Sequence, residues 1–222
     1  MRWQLVIFDC DGVLVNSEPI SNRVMAEVLC EDGLPMTLEG CYAHFMGRSM
    51  DDCVDILARR FNHAVGSDFV ERLRRRTLEA LREEVDAIPH VTAALEGIPV
   101  PVCVASSGQL VKMRTTLGRA GLLDRFENRL FSAAGMTRGK PHPDIFLHAA
   151  AALGADPGDC AVIEDTPVGV QAGVAAGMTV FGYAALTEPR ALAAAGAHVF
   201  TDMRELPELL ARDTGRPLPA RR

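Results

Sequence analysis

The chain has 222 residues, 48% of them hydrophobic, and a formal net charge of -6 at pH 7. That length suits one main domain carrying a smaller one, and so much apolar material rules out a disordered chain. The acidic balance gives no long-range pull on DNA, RNA or anionic lipid, so no nucleic acid and no membrane is expected as a partner.

The N-terminus runs apolar only from Trp3 to Phe8. That is too short for a secretory signal, and no apolar stretch is long enough to span a membrane. The six cysteines, Cys10, Cys30, Cys41, Cys53, Cys103 and Cys160, form no C-x-x-C pair and suggest neither a zinc site nor a disulfide scaffold. A reducing cytoplasm fits, with the protein a monomer or a weak homo-oligomer.

In chain order, Leu5-Val6-Ile7-Phe8 is a short, wholly apolar run that ends at Asp9. Runs that are apolar on both faces suit central strands of a parallel sheet. From about Ser17 to Val85 no strand is predicted. Val24, Met25, Val28 and Leu29 repeat at helical spacing, and Val70, Leu73, Thr77, Leu81 and Val85 keep a helical stripe. Ser49 before Asp52, and Ser67 before Asp68, read as helix starts. The basic run Arg74-Arg75-Arg76 reads as a solvated helix face.

The strand signature then returns at Val100 to Ala105, ending at Ser106, and at Ala161 to Ile163, ending at Glu164-Asp165. Val180 to Tyr183 is another such run, and Arg129 to Ser132 and His198 to Thr201 are weaker ones. Helices are predicted between them: Leu110 to Gly118, Asp144 to Leu153 closed by Gly154, and Thr166 to Ala176 with Pro167 in its first turn. This alternation predicts an α/β fold, a Rossmann-like doubly wound parallel sheet. An all-helical cap would be inserted at 16–85, with the core formed by 1–15 and 86–222. The tail from Asp213 reads as frayed.

Open parallel sheets place functional groups at the carboxyl ends of their strands. Here those ends carry Asp9 and Asp11, Ser106, and Glu164 with Asp165, while Lys140 lies in the region after the third strand. If the first strand is central, with the strands ending at Ser106 and Asp165 on either side of it, these groups converge. Clustered carboxylates need a cation, and all-oxygen sites suit Mg²⁺. A hydroxyl, an ammonium and a metal together suit a phosphoryl group. Taken singly the residues say less. A strand-end aspartate is often a turn residue, and Ser106 or Ser107 would serve equally as a cap for a helix beginning near Gln109. Lys140 stands out because the chain has one other lysine, Lys112. His90, His142 and His148 are assigned no catalytic role.

The residues also carry a resemblance. Asp9-Cys10-Asp11-Gly12-Val13-Leu14-Val15 resembles the first motif of the haloacid dehalogenase (HAD) superfamily, D-x-D-G-[TV]-[LV]. Ser106 ends a strand as the second motif requires. Gly139-Lys140-Pro141-His142-Pro143-Asp144 is similar to the third motif, and Val162 to Gly173 to the fourth. The motifs occur in order over nearly the whole chain. A helical insertion after motif one is typical of the subfamily resembling β-phosphoglucomutase and phosphoglycolate phosphatase. Ala105 to Gly108 with Lys112-Met113, and Leu123 to Ser132, are similar to the subgroup containing 6-phosphogluconate phosphatase.

The resemblance implies a Mg²⁺-dependent phosphatase acting on small phosphorylated metabolites, sugars or sugar acids. Asp9 would be both the nucleophile and a metal ligand, and Asp11 the acid and base, with Asp11 also offering its carbonyl to the metal. Asp165 would bind Mg²⁺ directly and Glu164 through a water. Ser106 and Lys140 would grip the phosphoryl oxygens. The loop of Cys10 and Gly12, together with Ser107, would bring groups to the phosphate, and Gly47 and Arg48 of the cap would face the substrate.

Asp11 excludes a true dehalogenase, which lacks the second aspartate of motif one. The absence of lysine from residues 16–85 excludes a Schiff-base phosphonoacetaldehyde hydrolase. A mutase of the β-phosphoglucomutase type is the alternative. Its cap histidine is replaced here by Ser21, and Met46 and Met50 occupy the basic positions around Gly47. Asn16 replaces a common hinge aspartate. A phospho-accepting regulatory domain is a remoter alternative, because it would lack the cap.

Overall fold

Six apolar runs become the six strands found among the described residues, which are 3–45 and 50–212 of a computed structural model. The expectations placed on Met46, Gly47, Arg48, Ser49 and the tail from Asp213 lie outside those residues. The chain divides into two compact units, Met1–Asn16 with Ala87–Arg222, and Ser17–Asp86. The first unit holds every described strand: β1 (Leu5–Phe8), β2 (Val102–Ser106), β3 (Leu130–Ser132), β4 (Cys160–Glu164), β5 (Thr179–Tyr183) and β6 (His198–Phe200).

The strand order is β3-β2-β1-β4-β5-β6, and every neighbouring pair is parallel. Parallel neighbours cannot be joined by tight hairpins, so helices carry the crossings. The whole helical insertion, with α1 (Glu18–Glu31), α2 (Leu38–Phe45), α3 (Met50–Arg60) and α4 (Phe69–Glu84), lies in sequence between β1 and α5 (Val91–Glu96). After β2 come α6 (Leu110–Arg119), α7 (Asp144–Ala152), α8 (Pro167–Ala175), α9 (Pro189–Ala195) and α10 (Leu206–Arg212).

β1 is central, and all four of its residues are buried, as are all five of β2 and of β4. Both faces of these strands are therefore covered, which explains their unbroken apolar sequence. On the face of Leu5 and Ile7 lie Ile145, Phe146 and Ala149 of α7, Val170 and Ala172 of α8, and Leu192 of α9. Elsewhere Phe8 meets Phe126 edge-on, with ring centroids 6.3 Å apart. Burying one such ring contributes about 1.5–3 kcal/mol. The edge strands β3 and β6 are only partly buried, which accounts for their weaker signatures.

The structure corrects the start of β2, from Val100 to Val102. Pro101 has no N–H to give a ladder, although its carbonyl still accepts from Val6 N at 3.0 Å. Gly154 and Gly177 follow their helices at φ +68° and +75°, the left-handed conformation of a helix terminator.

In the second unit, α1 to α4 share a core of Val24, Val28, Leu29, Cys41, Phe45, Cys53, Leu57, Phe69 and Leu73. The stripe of α4 is led by Phe69, not Val70, which is only partly buried. The residue before α4 is Asp68, not Ser67. The Asp68 side chain makes no capping hydrogen bond and instead accepts from Arg72 at 3.1 Å. Arg74 and Arg75 face solvent as expected, but Arg76 reaches α1, 2.6 Å from Glu31 and 3.0 Å from Glu27. The arginine run is therefore a solvated face at two of its three positions. No described helix is long and apolar enough to cross a membrane.

Candidate active site

The pairing register decides where the strand-end groups go. Phe8 is level with Val104 on one side and Ile163 on the other. Asp9 N then donates to Ile163 O at 2.9 Å, which brings Asp9 beside Glu164 at the end of β4. The chain turns tightly after Asp9. Leu14 N and Val15 N both donate to Cys10 O, and Gly12 N donates to Val15 O at 2.9 Å. Gly12 has φ +79°, and a Cβ there would lie 2.1 Å from Asp165 Oδ2. Only glycine lets this loop lie directly against the Asp165 carboxylate.

Lys140 joins the two sides. Its Nζ donates to Asp9 Oδ1 at 2.6 Å, to Glu164 Oε1 at 2.7 Å and to Ala105 O at 3.3 Å, and it lies over the Phe146 ring. The other oxygen of Glu164 accepts from Asp165 N and Thr166 N, each at 2.8 Å, and from Thr166 Oγ1 at 2.9 Å. Thr166 in turn caps α8 by accepting from Gly169 N at 3.1 Å. Glu164 is thus held by four donors.

The Glu164 carboxylate occupies the space a side chain at 169 would need, since a Cβ on Gly169 would lie 1.7 Å from Glu164 Oε1. Gly169→Ala is therefore expected to cost about 1–3 kcal/mol of stability, as other overpacking changes do. A Cβ on Gly139 meets nothing within 4 Å. Urea midpoints should separate the two variants; equal midpoints for Gly169→Ala and Gly139→Ala would refute this packing account.

Ser106 does not cap α6. The residue before that helix is Gln109, whose side chain makes no capping bond. Ser106 Oγ accepts from Gly108 N at 3.0 Å, forming a tight turn, and the acceptance leaves its own hydrogen to donate elsewhere. Ser132 Oγ braces that turn by donating to Gly108 O at 2.6 Å. Ser107 is exposed on the same turn.

Two groups join the site without having been singled out for it. One is Ser132. The other is Lys112, whose Nζ lies 2.8 Å from Asp11 Oδ1. The scarcity of lysine pointed to Lys140 and applied equally to Lys112. Gly47 and Arg48 lie outside the described residues.

Burial dominates the electrostatics. It pushes the Asp9 carboxyl up to about 7, helped by the charges of Glu164 and Asp11 and opposed by Lys140. Lys140 is held charged, well above its usual range, by Asp9 and Glu164 against the cost of burial. The Cys10 thiol is turned inward beside Thr116 and pushed far up by burial, so only the backbone of Cys10 is offered to the site.

Among the described residues no three His, Cys, Asp or Glu side chains form a metal site by themselves. Mg²⁺ does not need three, because it commonly takes one or two carboxylates and completes its shell with water and substrate phosphate. Asp165 against the Asp9–Gly12 loop offers hard oxygen donors of that kind.

A family model described as haloacid dehalogenase-like hydrolase matches residues 3–177, more than three quarters of the chain. The chain belongs to that hydrolase family. This HAD hydrolase is 32% identical over 209 residues to 6-phosphogluconate phosphatase of Escherichia coli strain K12, covering 94% of this chain and 95% of the relative. Among solved structures it is similar to a conserved haloacid dehalogenase-like protein of unknown function from Agrobacterium tumefaciens. That match has TM-score 0.85 and 31% identity, covering 94% of this chain and 98% of the other. It is also similar to a putative β-phosphoglucomutase from Thermotoga maritima, with TM-score 0.77 and 27% identity over 94% and 98% of the two chains. The HAD hydrolase thus resembles a phosphatase in sequence and a mutase-like neighbour in fold.

Proposed function

We propose that the chain is a Mg²⁺-dependent phosphatase for small phosphate monoesters. Sugar or sugar-acid phosphates such as 6-phosphogluconate are its substrate class, and hydrolysis proceeds through an aspartyl-phosphate on Asp9. The observation that carries the reading is the arrangement about Lys140. A buried ammonium pins one oxygen of Asp9 to the end of β1, and Asp11 stands two residues further around a glycine turn.

In this mechanism Asp9 attacks phosphorus while the bond to the ester oxygen breaks. Asp11 gives its proton to the departing alkoxide. Water then attacks the aspartyl-phosphate, Asp11 takes a proton from that water, and Asp9 and inorganic phosphate are released. Lys140 and the Ser106 hydroxyl stabilise the charge spread over the phosphoryl oxygens. Mg²⁺ held by the side chains of Asp9 and Asp165 and by the Asp11 carbonyl would keep Asp9 ionised and neutralise phosphoryl charge. Glu164, held by four donors, would reach the metal through a water, and it also places Lys140 and the backbone of Asp165. The helical unit, Ser17–Asp86, is assigned the role of substrate-selecting cap.

The likeness to a mutase-like structure keeps one rival in play. A mutase must retain and reorient a bisphosphate. The Ser21 hydroxyl, at the position of the mutase histidine, donates to Ser17 O within its own helix.

Phosphate release from a panel of sugar phosphates, 6-phosphogluconate, phosphoglycolate and nucleotides tests the reading. Many turnovers are expected with Mg²⁺, and a loss of at least about a hundredfold with chelator. Conversion of β-glucose 1-phosphate to an isomer without phosphate release would replace the phosphatase with the mutase.

A further inference from the structure

The helix after β2 touches the catalytic loop through a charged side chain that the mechanism above does not use. Lys112, in the first turn of α6, places its Nζ 2.8 Å from Asp11 Oδ1. One turn further on, Thr116 Oγ1 donates to Lys112 O at 3.0 Å and lies 4.0 Å from Cys10 Sγ. Two successive residues of the catalytic loop are therefore held by two successive turns of one helix. Gly108 marks where the groups converge, since a Cβ there would find Ser106 Oγ at 3.3 Å, Asp11 Oδ2 at 3.6 Å and the Lys112 stem at 3.8 Å.

We propose that Lys112 is a positioning residue for Asp11. It holds one carboxyl oxygen of Asp11 so that the other is presented to the leaving group, and this role rests on the reading of Asp11 as the acid. The geometry favours it. A carboxylate on a turn has free rotation about its Cα–Cβ and Cβ–Cγ bonds, and one charge-assisted bond removes most of that freedom. Both side chains are partly exposed, 29% for Lys112 and 19% for Asp11, so the pair is open to solvent rather than sealed in the core. Lys112 is distinct in this from Lys140, which is 7% exposed and bound to Asp9.

The test uses leaving groups of different basicity. An alkyl phosphate needs its alkoxide protonated as it departs, and an aryl phosphate such as p-nitrophenyl phosphate does not. We compare kcat/KM, which reports the phosphoryl transfer to Asp9, for p-nitrophenyl phosphate and for the alkyl phosphate that wild type turns over fastest. Lys112→Met should lower kcat/KM for the alkyl ester by about ten- to a hundredfold, a typical share of general-acid catalysis. The aryl ester should change by less than about threefold, since no protonation is needed there. Asp11→Asn should show the same pattern more strongly. Adding Lys112→Met to Asp11→Asn should cost nothing more, because the two would act as one unit. Lys112→Arg should restore most of the alkyl activity.

Equal losses on both esters, or losses that add in the double variant, would overturn the role of Lys112. So would a change confined to KM for substrates with a second anionic group. If Asp11→Asn discriminates between the esters and Lys112→Met does not, the positioning role alone fails. If Asp11→Asn does not discriminate, the reading of Asp11 as the acid fails first and takes this one with it. Lys112→Gln carries the same comparison if the methionine variant does not fold.

Discussion

Asp9→Asn is expected to cut steady-state phosphate release by on the order of ten-thousandfold or more while the protein stays folded. The amide matches the carboxylate in size and can still accept from Lys140 Nζ, so the packing around β1 survives. It cannot form an acyl phosphate, so the covalent step of the proposed mechanism is lost. The measurement is phosphate release under saturating substrate with Mg²⁺. Activity within tenfold of wild type would remove Asp9 from the chemistry.

The same variant carries a signed prediction about stability in chelator. The Asp9 carboxyl sits at about 7 in the folded protein, against 3.8 ordinarily. The folded state therefore holds a proton that the unfolded chain releases, and folding weakens as pH rises from about 4 to about 7. The amide of the variant has no such proton to lose. The variant should gain on wild type in urea midpoint across that window and hold a constant lead above it. A lead that shrinks with rising pH would mean that Lys140 outweighs burial.

Lys140→Met is expected to be the most damaging single change to the fold of the site. It leaves the carboxylates of Asp9 and Glu164 buried without their ammonium, a loss of about 3–5 kcal/mol for a broken buried pair. Turnover should vanish with it, because the proposed mechanism relies on that cation to steady the phosphoryl oxygens. Adding Glu164→Gln should return part of the stability and none of the activity. That split can be read from urea unfolding and phosphate release on the same samples. A single variant as stable as wild type would show that the two carboxylates do not depend on Lys140.

Much of the fold could be read from the sequence because the physics there is local. Three unbroken apolar runs ended at polar residues, and a central strand in a parallel sheet leaves few other options for such runs. The edge strands were faint for the same reason, since β3 and β6 are buried on less of their surface. Proline chemistry places Pro167 in the first turn of α8, and the same chemistry at Pro101 moves the start of β2 to Val102.

The strand-end residues converge as anticipated about Asp9, but the partners of each were not legible. Glu164 is bound to Lys140, to Asp165 N and to Thr166, and Gly169 is the position whose missing Cβ makes room for it. Lys112 meets Asp11, and Ser132 braces the turn of Ser106. The contacts of Lys140, Lys112 and Ser132 join residues far apart in the chain and depend on how a helix or strand end docks. No spacing or periodicity records that. Arg76 escaped for a similar reason, because its neighbours in sequence are solvated and its partners lie on another helix.

The crossings between the two units have a consequence for modularity. Val15 is bridged antiparallel to Ala87, and Ile88 N donates to Leu14 O at 2.9 Å. The chain leaves the sheet and rejoins it at adjacent points, so the sheet does not rely on the inserted segment to bring its own ends together. Close termini of that kind let whole segments be exchanged between scaffolds. The insertion can therefore diverge, lengthen or be replaced while β1 keeps its register. If the insertion selects substrate as proposed, its sequence can change without disturbing the residues gathered at the strand ends.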